Sequence, residues 1–148
     1  LAREPRLMRG RGEQLSDPPR FAALPAVLVN PGFATLTGPV FRAYDAGAPA
    51  TADTPDFPSL TCPREAATFL ATCRNDLEGP AIGLHPLVGE LLRILRAHPE
   101  TLLARMSGSG ATCFALCETE REAHALAARL EAEYRWWIRP CVLQGWPG

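Results

Sequence analysis

The sequence predicts an α+β fold, a ferredoxin-like split βαβ sandwich in which an antiparallel sheet carries two helices on one face. Three observations carry that prediction. A short β-branched run, Pro25 to Asn30, ends in the turn pair Pro31-Gly32 and reads as a buried strand. A strongly amphipathic helix over Pro86–Ala97 is followed by two strands joined by a glycine loop. A capped helix from Thr119 then leads into a last strand, giving the order β-α-β-β-α-β with extra short helices after the first strand.

Each element has its own signal. The segment to Arg20 is polar and broken by Gly10, Gly12, Pro18 and Pro19, so residues 1–20 read as a lead-in and residues 21–148 as the folded domain. Thr37 has the chemistry of an N-cap for a short helix through Val40, Phe41 and Tyr44, and Gly47 to Pro58 reads as a loop. Arg64 to Cys73 forms a modest helix. Asn75 to Glu78 then passes through Gly79-Pro80 into the helix that places Leu87, Val88, Leu91, Leu92 and Leu95 on one face. Leu102 to Met106 and Thr112 to Cys117 are strands around the loop Ser107 to Ala111. Thr119 and Glu122 make a capping box for a helix with Ala123, Leu126, Ala127 and Leu130 inward, and Trp136 to Leu143 is the final strand.

Composition narrows the function. The chain has 148 residues, 47% of them hydrophobic, and 15 basic against 16 acidic residues without a basic stripe, which disfavours a nucleic-acid or polybasic membrane partner. Every basic residue is arginine, so the chain holds no lysine for a P-loop or a Schiff base. No secretory leader pattern and no long apolar run occurs, and a cytoplasmic location is expected. Cys113 and Cys117 lie four apart in a strand, about 13 Å, too far to bond, and all five cysteines are expected as buried thiols.

The most informative stretch is Met106-Ser107-Gly108-Ser109-Gly110-Ala111-Thr112. Paired glycines allow positive φ and aim successive N–H groups at an anion, while the same letters also fit a plain hairpin turn. The stretch is neither a Walker A loop nor a nucleophile elbow. Phe41 reads either as core or as an aromatic available to a ligand. His85, His98 and His124 share no metal-ligand spacing, and Asp76 and Glu78 fit turn and helix-end chemistry.

The segments Asn30-Pro31-Gly32 with Thr37 and Phe41, Asn75-Asp76-Leu77-Glu78 with Pro80-Ala81, and Met106 to Thr112, in that order, resemble the C-terminal half of the 4-diphosphocytidyl-2-C-methyl-D-erythritol kinase family, within the galactokinase, homoserine, mevalonate and phosphomevalonate (GHMP) kinase superfamily. Arg9-Gly10-Arg11-Gly12-Glu13 looks like the family's crossing from its N-terminal domain. The resemblance implies a GHMP kinase C-terminal domain whose loop Gly108, Ser109, Gly110 and Ala111 borders the nucleotide and its phosphates. It implies that Thr37 and Phe41 line the cytidine pocket, with Phe41 stacked on cytosine. It also implies ATP and Mg²⁺ held mainly by an N-terminal domain, the cytidylyl-methylerythritol substrate as small-molecule partner, and no catalytic or metal-binding residue in this chain, which alone is expected to be inactive. Another GHMP kinase acting on homoserine, mevalonate or a sugar, or a non-catalytic ligand-binding module, are the alternative readings.

Overall fold

The computed structural model describes residues 5–9, 14–47 and 56–147. Four strands form the main sheet: β3 (Leu24–Asn30), β4 (Leu103–Met106), β5 (Cys113–Leu116) and β6 (Trp137–Leu143), in the order β4-β5-β3-β6 with every pair antiparallel. That is the split βαβ order: the first strand sits between the third and the fourth, and the helices cross over one face. Those helices are α4 (Pro86–Ala97) and α5 (Glu120–Glu133). Three further helices, α1 (Thr37–Ala46), α2 (Pro63–Thr72) and α3 (Glu78–Leu84), lie between β3 and α4.

The alternation of side chains along the strands divides the core in two. Val27 and Val29 of β3, Ala104 and Met106 of β4, Cys113 and Ala115 of β5 and Ile138 of β6 face α4 and α5, where Val88, Leu91, Leu92, Leu95, Leu126 and Leu130 are fully buried. Leu24, Ala26 and Leu116 face the other way and pack with Ala66 of α2, joined by Leu60, Leu70, Leu103, Phe114 and Cys141. The sheet is therefore covered on both faces, where the sequence pattern anticipates helices on one. The reason is visible in β3, whose first four residues are all buried, a continuous apolar run suited to two covered faces.

Other differences are local. Glu78–Leu84 is a helix of seven residues, although Gly79-Pro80 reads as a break; a proline in the first turn of a helix loses only an N–H that has no helical partner there. Thr37 is the first helical residue and Leu36 the N-cap, with no side-chain cap at this end. The capping box of α5 is formed as read, Thr119 Oγ1 accepting from the Glu122 amide at 3.2 Å and Glu122 accepting from the Thr119 amide at 3.0 Å. Within residues 1–20, β1 (Leu7–Arg9) and β2 (Gln14–Ser16) pair as a separate antiparallel ribbon, and residues 10–13 between them lie outside the described residues, as do residues 48–55 of the loop that follows α1. All five cysteines are free, but only Cys113 and Cys117 are buried. Cys141 sits on the α2 face near the sheet edge, while Cys62 and Cys73 flank the ends of α2, which leaves these three half exposed. Among the described residues no helix is long and apolar enough to cross a membrane.

Candidate functional site

The hairpin between β4 and β5 forms the floor of the site. Ser107 donates to the Thr112 carbonyl at 2.9 Å and the Gly110 amide to the Ser107 carbonyl at 3.0 Å, which closes a tight turn. Gly108 has φ +55° and Gly110 φ +85°, both in the region that disfavours side chains. At Gly110 space is a second constraint, because a Cβ there would lie 2.9 Å from the Met106 sulfur and 3.4 Å from the Thr35 hydroxyl. Ala111 is buried and roots the loop in the core. The amides of Gly108 and Ser109, on the outer part of the loop, find no acceptor among the described residues, a condition that suits an anion at the loop.

Side chains from two other segments hold this loop. Asn75, just before α3, donates through Nδ2 to the carbonyls of Met106 at 3.1 Å and Gly108 at 2.9 Å, while its Oδ1 accepts from the Leu77 amide at 3.1 Å. Asn30, at the end of β3, donates to Thr112 Oγ1 at 3.0 Å and accepts from the Gly32 amide at 2.9 Å. The hydroxyls of Thr37, the first residue of α1, and Ser109 lie 3.1 Å apart. Thus the three sequence segments meet at one end of the sheet. Thr37 faces the glycine loop instead of capping its own helix.

Phe41 follows Thr37 by one helical turn, which places both on one side of α1. It is 46% exposed, which removes the core reading and leaves an aromatic face open to a ligand. Asp76 pairs with Arg74 at 2.7 Å. Glu78 pairs with Arg96 at 3.2 Å and accepts from the Met106 amide at 3.4 Å, so both carboxylates serve the backbone and its neighbours. His85 stands at the N-cap position of α4 without a side-chain cap bond, its ring 5.1 Å from that of Phe33; His98 follows the last turn of α4, and His124 is exposed on α5. No group of three or more His, Cys, Asp or Glu side chains suited to a metal ion occurs among the described residues.

The thiol nearest the loop in sequence, Cys113, is pushed up to about 12, first by burial and then by the Glu78 charge, so it stays protonated and offers no nucleophile at neutral pH. What the arrangement offers is backbone dipoles, two hydroxyls and an exposed ring, chemistry suited to binding and orienting an anionic ligand that carries an aromatic base. Sequence reasoning missed the clamping roles of Asn75 and Asn30. The available signal was an asparagine two residues ahead of a turn amide, in Asn-Asp-Leu and Asn-Pro-Gly, the pattern of an Asx-turn.

Known proteins share the sequence and the fold of this chain. A sequence pattern described as "GHMP kinases C terminal" matches residues 60–135. A 4-diphosphocytidyl-2-C-methyl-D-erythritol kinase of Caulobacter vibrioides is 55% identical over 141 residues, covering 93% of this chain and 49% of the relative. A protein of the same name from Hyphomonas neptunium is 48% identical, covering 93% and 48%. The chain thus spans about half the length of the curated relatives it matches. A crystal structure of 4-(cytidine 5'-diphospho)-2C-methyl-D-erythritol kinase superposes with a TM-score of 0.67 at 31% identity, covering 93% of this chain and 49% of that one. L. major mevalonate kinase, in complex with R-mevalonate, shares the fold alone, with a TM-score of 0.56 at 14% identity. On the matched pattern and the shared fold, the chain belongs to the GHMP kinase C-terminal domain family.

Proposed function

We propose that this chain is the C-terminal half of an ATP-dependent kinase that phosphorylates the 2-hydroxyl of 4-diphosphocytidyl-2-C-methyl-D-erythritol, in the cytoplasm, in non-mevalonate isoprenoid biosynthesis. The observation that carries the reading is the 3.1 Å approach of Thr37 to Ser109, which sets the helix bearing Phe41 directly against the glycine loop. Phe41 stacks on the cytosine and the Thr37 hydroxyl orients the nucleoside. The free amides of Gly108 and Ser109 face the phosphates. Phosphoryl transfer depends mostly on positioning and charge stabilisation, which a dipole-rich loop and a stacking aromatic supply.

The chain holds no lysine, and among the described residues the two carboxylates beside the loop, Asp76 and Glu78, are both engaged in ion pairs. The base for the attacking hydroxyl, the cation at the transferred phosphate and the main ATP loop therefore come from an N-terminal domain. Mg²⁺, when bound with ATP, supplies neutralisation of phosphate charge, and its ligands belong to that other half. Residues 21–148 form the C-terminal wall of the cleft, residues 1–20 the crossing into it, and the chain alone is inactive.

The test is coupled ADP release, measured for this chain and for the full-length protein with ATP, Mg²⁺ and each of the cytidylyl substrate, homoserine and mevalonate. Turnover by the full-length protein with the cytidylyl substrate alone is expected. Turnover by the short chain would refute the division of labour, and preference for homoserine or mevalonate would assign another substrate.

A further inference from the structure

Both asparagines at the site make the same pair of bonds. In each, Oδ1 accepts the backbone amide two residues on, and Nδ2 reaches across to the hairpin, to the loop carbonyls from Asn75 and to the Thr112 hydroxyl at the loop's end from Asn30. The orientation of each amide group is chemically forced: turned over, Asn75 would set its oxygen against the carbonyls of Met106 and Gly108 and its NH₂ against the Leu77 amide. Asn75 holds the β4 side of the loop and Asn30, through Thr112 Oγ1, the β5 side. Neither bond uses a loop amide, so the Gly108 and Ser109 N–H groups stay free. Behind Asn75 a second layer fixes the same strand end. Glu78 accepts from the Met106 amide at 3.4 Å, and Arg96 donates to Glu78 at 3.2 Å and to the Ala104 carbonyl at 3.3 Å.

We infer that Asn75 and Asn30 are positioning residues that set the glycine loop from its two ends and so govern the phosphate side of the reaction without touching a ligand. The assignment rests on the kinase reading above for its kinetic consequence, and on the hydrogen bonds alone for its structural one. A loop with two positive-φ glycines has little conformational preference of its own. Fixing its two ends from outside, by carbonyls on one side and the Thr112 hydroxyl on the other, turns a flexible turn into a preorganised cradle, and small displacements of such a cradle are costly to phosphoryl transfer.

Two substitutions in the full-length protein separate the clamps from the turns that carry them. Asn75→Asp keeps the Oδ1 bond to Leu77 and loses the donor to the loop. Thr112→Val keeps the shape and removes the acceptor for Asn30, while Thr112→Ser restores the hydroxyl. Two readouts are taken on each: amide hydrogen exchange over residues 107–112, and kcat and KM for ATP and for the cytidylyl substrate. Asn75→Asp and Thr112→Val are expected to speed exchange in the loop and to lower kcat/KM for ATP by about 10- to 100-fold. KM for the cytidylyl substrate should hold, and Thr112→Ser should behave as wild type. Unchanged loop exchange in both variants would overturn the clamp. Faster exchange with unaltered ATP kinetics, or equal shifts in both KM values, would overturn its role in positioning. Should the wild-type protein fail to turn over the cytidylyl substrate, the kinase reading falls separately, and the exchange data still decide whether the clamp exists.

Discussion

Gly110 carries a conformational and a steric constraint at once, and the two act on the same substitution. Gly110→Ala places a Cβ at φ +85° and 2.9 Å from the Met106 sulfur, so it should destabilise the fold by about 1–3 kcal/mol, read as a lowered midpoint in urea with an unchanged slope. Cys113 and Cys117 illustrate burial acting on titration. Burial, then the charges of Glu78 and of Glu122 and Glu100 respectively, pushes them to about 12 and about 11. A thiol whose folded value is raised leaves stability intact below the ordinary 9.0 and removes it as pH rises from there toward about 12. Alkylation followed by mass spectrometry at pH 8 should therefore label Cys62, Cys73 and Cys141 while sparing Cys113 and Cys117. Labelling of the buried pair in folded protein would contradict the packing. At this scale the sequence was informative about residue type but not about partner. The glycines announced positive φ, but only the fold shows that Asn75 spans 33 residues to reach Gly108 or that Thr37 reaches Ser109.

Elements differ in how openly their sequence declares them. Helix α5 was legible to the residue at its start because both halves of the capping box are local. Thr119→Ala removes one of its two bonds and should cost about 1 kcal/mol by thermal or urea unfolding. Helix α3 was not legible, since Gly79 and Pro80 carry the letters of a break while the chain uses them inside a first turn. Helix α2 depends on a residue far from it: no basic side chain lies in its last turn, and Arg105 of β4 instead donates to the carbonyls of Leu70, at 2.7 Å, and of Cys73. A cation bonded to the carbonyls at a helix C-terminus stabilises it. Arg105→Ala should lower stability by about 1–3 kcal/mol, with exchange rising first in α2. No window of local sequence contains that interaction, so periodicity and capping rules had no access to it.

For the molecule as a whole, the order of strands and helices predicted the sheet, because a split βαβ unit with short connections leaves few other antiparallel arrangements. The covering of both sheet faces was less accessible: α2 is a modest helix by its own pattern, and its docking is driven by Leu24, Ala26 and Leu116 on strands far away in the chain. The site emerges at this scale, where β3, α1, the turn before α3 and the β4–β5 hairpin bring Asn30, Thr37, Asn75 and Ser109 to one end of the sheet. One side of that site presents an exposed ring and the other a loop with free amides. The most direct test is Phe41→Ala in the full-length protein, with KM determined for both substrates. Because Phe41 is 46% exposed, folding stability should stay within about 0.5 kcal/mol of wild type. Loss of base stacking worth about 1–3 kcal/mol should raise KM for the cytidylyl substrate by about 5- to 150-fold and leave KM for ATP in place. An unchanged KM for the cytidylyl substrate, or a rise in KM for ATP instead, would contradict the assignment of α1 as the nucleoside wall.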